Sequence, residues 1–287
     1  MSIERWIFTV SPGRSGQGSL AAFLAAHVER AYVAFEEPQV RPHLPGALGD
    51  LERRFRRRFV ETDEMLGRGR ILLADANGDQ GYIDRIVAQR LRVIARDAGR
   101  AGARTYIDVN SHFVRGLCWG FARALPRLSL IRLLRDPLLV MRSYLNRRKS
   151  FAKEYAPPDA PHNLLRLDPA NLAPGELYLW AWCESYLRFE RLAALPAVEA
   201  AVELRTDALN DAAAMDRFMD GLGLAHAPAR PLARHNTNLD QGYGETRVTP
   251  DDVRLLARFL DRLPAETRAR LRYFDGYAPP AIAELAS

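Results

Sequence analysis

The segment Val10 to Leu20 (VSPGRSGQGSL) concentrates groups that can hold an anion. Gly13, Gly16 and Gly18 let the backbone approach a phosphate closely, because no side chain stands in the way. Ser15 and Ser19 offer hydroxyl donors, and Arg14 offers a permanent positive charge. The segment follows an apolar run, Trp6 to Val10. It precedes Leu20, Phe23, Leu24 and Val28, which recur at helical spacing. At such a strand-to-helix junction, N–H groups and the helix dipole favour a phosphate. Glycine and serine also make ordinary turns; an arginine and two serines in the same turn favour a phosphate loop.

The type of loop can be narrowed. An ATP- or GTP-binding loop reads GxxxxGK[ST]. Gly13 and Gly18 have that spacing, but Ser19 stands where the lysine is needed, which disfavours a nucleoside triphosphatase. A dinucleotide fingerprint reads GxGxxG, whereas this loop reads GxxGxG. Glu36 ends a second apolar run about 20 residues on, where a ribose-binding acid would stand. A Rossmann-type NAD(P) oxidoreductase is therefore a rival reading. A second constellation follows the run Leu128 to Leu134: Arg135-Asp136-Pro137, with Ser143 eight residues after Arg135. Pro137 is well placed to open a helix.

Taken together, these two constellations resemble the PAPS-dependent sulfotransferases. Their first loop reads roughly PKSGTTWL or GRSGTTSL and binds the 5′-phosphosulfate; here it is PGRSGQGSL. Their second motif reads RDPxxxxxS, whose Arg and Ser hold the 3′-phosphate; here it is RDPLLVMRS. The helix bearing Trp180, Trp182 and Tyr186, the stretch VELRTDAL and the helix ending in FMDGLGL follow in the family's order, so the resemblance covers most of the chain. It implies that Arg14, Ser15, Gly16, Gln17, Gly18 and Ser19 surround the phosphosulfate, and that Arg135 and Ser143 hold the 3′-phosphate. Gln17 and Gly18 replace the usual threonine pair, removing two hydroxyls, though the Gln17 amide can donate. Thr206 stands where many members carry a tyrosine that contacts adenine. The family's late phosphate-binding loop is not intact. Arg247 in GYGETR is the nearest candidate for that contact, against a plain exposed arginine.

The implied function is sulfonate transfer from PAPS, leaving PAP, to a hydroxyl or amine of a small-molecule, lipid or carbohydrate acceptor. The protein must align acceptor and leaving group and stabilise charge on the bridging oxygen. Arg14 can stabilise that charge but cannot readily donate a proton. An alcohol acceptor also needs a general base. Glu36 is one candidate, since heparan-type sulfotransferases use an acid just past the second strand. His112, in TYIDVNSHF, is the other; it lies near where cytosolic members place a histidine. Asp108 and Asn110 can orient whichever acts. The bland readings are a solvated strand end for Glu36 and a turn hydrogen bond for His112. A non-catalytic relative that binds an anionic partner is a further alternative. No metal is required by this chemistry.

The elements that must position these residues alternate. Trp6–Val10, Ala31–Phe35, Thr105–Val109, Leu128–Leu134 and Val198–Leu204 read as buried strands, separated by helical patterns. That predicts an α/β fold, a mostly parallel sheet flanked by helices, with residues 1–287 as one domain. Thr249, Pro250, Asp251 and Asp252 predict a well-capped last helix. Pro38–Leu51, Pro157–Pro174 and His235–Gly244 read as irregular loops. The arginine-rich run Glu52–Phe59 reads as a helix with a solvated face, or as an attractor of anions.

With 287 residues, 48% hydrophobic and 26% charged, the composition is that of a globular chain. It excludes a disordered, collagen-like or disulfide-scaffold protein. No apolar run nears the roughly 20 residues of a membrane span, and residues 1–10 do not form a secretory signal, so a cytoplasmic protein is expected. Cys118 and Cys183 are isolated, which points to neither zinc nor redox chemistry. The net charge of +6 suggests anionic ligands without singling out nucleic acid.

Overall fold

Each β-branched or aromatic run forms a strand: β1 (Arg5–Val10), β2 (Ala31–Phe35), β3 (Thr105–Val109), β4 (Leu128–Leu134) and β5 (Val198–Arg205). The structure, a computed structural model, describes residues 3–38, 44–230 and 246–280. The strands pair in the order β2-β3-β1-β4-β5, and every pairing is parallel. This is the predicted α/β class.

Alternate side chains face opposite sides of the sheet, and both sides are covered. Ile7, Ile107, Val109, Ile131 and Leu133 pack with Leu20, Phe23 and Leu24 of α1 (Gln17–His27) and with Phe218 and Met219, which follow β5. On the other side Phe8, Tyr106, Leu128 and Leu130 pack with Ile83, Ile86, Val87, Phe113 and Phe121.

Between β2 and β3 lie α2 (Gly46–Phe59), α3 (Thr62–Leu66), α4 (Arg70–Asn77) and α5 (Gln80–Arg100). The stretch Pro38–Leu51, expected as an irregular loop, is therefore helical from Gly46 onward. Leu48, Leu51, Phe55 and Phe59 recur at helical spacing, and that pattern carries the helix back to Gly46. A π-helical turn, Phe113–Leu117, runs into α6 (Cys118–Ala124). After β4 come α7 (Pro137–Asn146), the single turn α8 (Phe151–Glu154) and α9 (Pro174–Ala193). The Pro-rich stretch between α8 and α9 is irregular as expected, apart from a short 3-10 turn at Pro169–Asn171. Trp180 and Trp182 are buried in the core. After β5 come α10 (Ala212–Gly221), α11 (Pro250–Asp261) and α12 (Ala265–Arg270). Thr249 caps α11 as predicted: its hydroxyl accepts from Asp252 N at 3.4 Å, and its own N–H donates to the Asp252 carboxylate at 2.8 Å. The predicted loop His235–Gly244 lies outside the described residues.

Two buried charge clusters brace the sheet. Arg90 of α5 donates to Asp108 of β3 at 2.6 Å. Arg188 of α9 reaches Asp75 of α4 and Glu184, each at 2.6 Å. Asp108, expected as an orienter of the base, is thus committed to the scaffold; its strand position turns it toward α5.

Candidate active site

The loop after β1 owes its shape to left-handed backbone. Gly13, Arg14 and Gly16 have φ of 88°, 58° and 86°. Such residues fold a loop so that N–H groups line a concavity suited to an anion. Gly13 is required: a Cβ there would collide with the Tyr144 hydroxyl. At Gly16 it would come within 3.0 Å of Thr206 Cγ2. Gly16 caps α1 without a side-chain acceptor, so the positive end of the helix opens beside the loop. The loop is fastened from below at the Pro12 carbonyl, which accepts from Arg115 Nη2 and the Tyr144 hydroxyl, both at 2.9 Å, and from the Tyr155 hydroxyl.

The two sequence motifs meet. Arg14 Nε donates to Ser143 Oγ at 3.2 Å, and Arg135 Nη1 donates to the Arg14 carbonyl at 2.8 Å. Asp136 between them is structural: its carboxylate caps α7, accepting from Leu138 N at 2.9 Å and Leu139 N at 3.2 Å. Arg14, Gly16, Gln17, Gly18, Ser19 and Arg135 line a cleft of about 890 Å³. That volume suits a nucleotide-sized ligand with room beside it.

Four of the expected binding residues are placed as follows. Ser15 is buried, and its hydroxyl donates to the Gly13 carbonyl at 3.1 Å. The Gln17 amide donates to Ser11 Oγ at 2.8 Å and accepts from Ser15 N at 3.1 Å, so it stiffens the loop from within. Ser143 is buried beneath Arg14 and acts on the cleft through it. Arg247 is exposed and outside the cleft lining, while its neighbour Thr246 lies within it. Thr206 is also tied into the scaffold, since its hydroxyl bridges the Ser15 and Leu134 carbonyls, at 2.8 and 2.9 Å.

The carboxyl ends of all five strands contribute to the cleft. Glu36 follows β2 in a left-handed conformation, φ 49°, which a non-glycine residue adopts at some cost. His112 follows β3 and is buried. Arg68 bridges the two candidates: its Nε donates to His112 Nε2 at 2.8 Å, and Nη2 lies 4.0 Å from Glu36 Oε2. Because arginine can only donate, His112 Nε2 must carry a lone pair, and its proton sits on Nδ1. Asn110 Oδ1 accepts from that nitrogen at 3.1 Å and from His112 N at 2.9 Å. Asn110 thus holds the His112 ring from its Nδ1 side.

Glu154 of α8 stands 3.3 Å from the same His112 nitrogen and 2.9 Å from Arg115 Nη1. Burial first, then the charges of Arg115 and Arg68, push the imidazole down to about 3. Burial works against ionised Glu154, but the charges of Arg115 and Arg68 outweigh it and hold the carboxyl well below its usual range. The base side of the cleft is thus a neutral imidazole facing a carboxylate, with two arginines around them.

Arg68, Arg115, Lys149 and Glu154 were not singled out in the sequence. Arg68 had one signal, its place between Gly67 and Gly69. A Cβ at Gly67 would come within 2.6 Å of the His112 carbonyl, so that glycine lets the arginine's loop close on the histidine. Lys149 lies in the basic run Arg147–Lys149 and lines the cleft.

No family model and no curated protein matches the chain. Among solved structures, it is similar to the sulfotransferase domain from the Synechococcus PCC 7002 olefin synthase. Identity is 16%, 96% of each chain is covered, and the TM-score is 0.52. At that identity the likeness is one of fold. The strand order itself separates the chain from a Rossmann fold, in which β2 lies beside β1. Here β3 lies between them, so Glu36 is one strand further from the loop than a ribose-binding acid would be.

Proposed function

We propose that the chain is a sulfotransferase, moving a sulfonate group from PAPS to a hydroxyl of a small-molecule, lipid or carbohydrate acceptor and releasing PAP. The observation that carries this reading is the meeting of Arg14 with Ser143 and Arg135, 129 and 121 residues apart in the chain, at one end of the cleft. A left-handed glycine loop at a helix N-terminus fits a phosphosulfate. Two arginines beside it fit a second phosphate on the same ligand.

PAPS supplies an activated sulfonate, whose S–O bond to phosphate breaks as the S–O bond to the acceptor forms. The chain's residues position and stabilise. Arg14 and the opening turn of α1 offset negative charge growing on the leaving phosphate oxygen. Lys149 lines the same cleft and adds a positive charge. Glu36 takes the acceptor proton: its side chain, 39% exposed, is open to an incoming hydroxyl, whereas His112 Nε2 is covered by Arg68. One contact favours His112 as the alternative base. Glu154 lies where it would stabilise the imidazolium formed on proton uptake.

Thermal shift with PAP, NAD and ATP side by side tests the reading. Stabilisation by PAP supports it, and stabilisation by NAD but not PAP contradicts it. PAP binding with no turnover across a broad acceptor panel favours a non-catalytic anion-binding relative.

A further inference from the structure

We propose that α2 is a docking helix for an anionic lipid surface. This inference does not depend on the sulfonate-transfer reading; it rests on how α2 is laid on the fold. Gly49 is buried, and Glu52, Arg53 and Arg56 are half-buried. Their i, i+3, i+4, i+7 spacing makes one face, and that face is turned toward the protein. Ion pairs and one hydrogen bond brace the helix. Glu52 accepts from Leu44 N at 3.2 Å and pairs with Arg56 at 3.7 Å, and Arg57 pairs with Asp63 of α3 at 3.2 Å.

About a quarter-turn round the helix from that face stand Leu48, Leu51, Phe55 and Phe59, which are 62%, 65%, 55% and 69% exposed. Leu44, just before the helix, extends the stripe. A surface helix ordinarily turns its apolar stripe inward. Here the stripe is left open to solvent over the whole length of the helix. Single exposed leucines are common, but a contiguous apolar stripe marks an interaction site. Phe55 and Phe59 rest on each other, ring centroids 4.9 Å apart, and remain open outward.

The charges beside the stripe identify what covers it. At 100° per residue, Arg54 and Arg58 fall along one flank of the stripe, one turn apart. Both are exposed, and neither has an ion pair among the described residues. The helix carries five arginines against Asp50 and Glu52. A second copy of α2 would bring a surface of the same sign against this one. An anionic lipid surface satisfies both features. Leucine and phenylalanine enter the boundary between headgroups and acyl chains, and the arginine stems lie along it with their guanidinium groups at the phosphates. No helix among the described residues is long and apolar enough to cross a membrane, so α2 would lie in the interface rather than span it. The helix belongs to the same insertion that carries Arg68, and Glu36 precedes that insertion; both line the cleft.

Vesicle co-sedimentation of the full chain tests this, with phosphatidylcholine vesicles and vesicles containing about one third phosphatidylglycerol. The expected result is sedimentation with the anionic vesicles only, weakening as salt rises. Phe55→Asp, at a side chain already exposed, should leave thermal melting unchanged and lower partitioning about 10- to 100-fold, as expected for losing a buried phenylalanine. Replacing Arg54 and Arg58 by glutamate should also weaken binding to the anionic vesicles. The proposal is overturned if the wild type binds neither vesicle, or if Phe55→Asp binds as well as wild type. It is also overturned if the wild type forms a dimer that Phe55→Asp dissolves while no vesicle binding occurs, because a second copy then covers the stripe.

Discussion

At His112 the surroundings decide what the side chain can do. Asn110 fixes the proton on Nδ1, Arg68 covers Nε2, and burial disfavours the charged ring. The imidazole is therefore neutral, with its titration depressed to about 3 from the ordinary value of about 6.5. The folded chain then binds fewer protons than the unfolded chain between these values. This group's contribution to stability is complete above about pH 6.5 and is lost as pH falls toward 3. We expect the His112 ring resonances in NMR to stay constant from about pH 8 to about pH 4.5; titration near pH 6.5 in the folded protein would contradict the geometry. The assignment of the base separates by kinetics. Glu36→Gln should keep its affinity for PAP and lose about 100- to 10,000-fold in kcat, the usual worth of a general base. His112→Asn should then lose much less. If the larger loss follows His112→Asn instead, the histidine is the base. If Glu36→Gln weakens nucleotide binding and keeps kcat at saturation, Glu36 holds ribose. Both candidates were legible from their positions after strands, but Arg68 and Glu154 were not. Each comes from a short segment far along the chain from the residue it serves, and only Arg68 has a local signal, its flanking glycines.

The loop after β1 and helix α7 form a joined pair of elements. Asp136 caps α7, Tyr144 supports Pro12, and Ser143 supports Arg14. Asp136→Ala removes the cap, and thermal or denaturant unfolding should show a loss of about 0.5–2 kcal/mol. Because α7 also supports the loop, PAP affinity should fall with it; unchanged stability and affinity would contradict the joined account. At this scale the sequence was most readable. All five strands, the start of α7 at Pro137 and the cap of α11 follow from local patterns that tertiary packing then reinforces. Helix α2 was read less well. Its existence was legible, but the exposure of its apolar stripe was not, because periodicity shows that a stripe exists and not which way it faces. The role of Gln17 was hidden for a similar reason. A side-chain amide satisfied within its own loop looks the same in sequence as one aimed at a ligand.

Across the whole molecule, the buried Arg188 cluster ties α9 to α4. Asp75→Ala leaves the buried Arg188 with Glu184 as its remaining carboxylate partner, so it should cost about 2–3 kcal/mol in chemical denaturation, less than the roughly 3–5 kcal/mol of a buried charge left wholly uncompensated. A loss below about 1 kcal/mol would show that the cluster is not a brace. The parallel sheet brings strand ends that are distant in sequence to one edge, so residues from the first loop and from the segment after β4 share a cleft. That convergence is the central claim, and calorimetric titration tests it most directly. PAP and an analogue lacking the 3′-phosphate are titrated into wild type and Arg135→Ala. A charge-assisted hydrogen bond is worth about 1.5–3 kcal/mol, so wild type should lose about 10- to 100-fold in affinity without that phosphate, and Arg135→Ala should lose little. An equal loss in both proteins would contradict the placement of the 3′-phosphate at Arg135, and with it the reading of the cleft as a PAPS site.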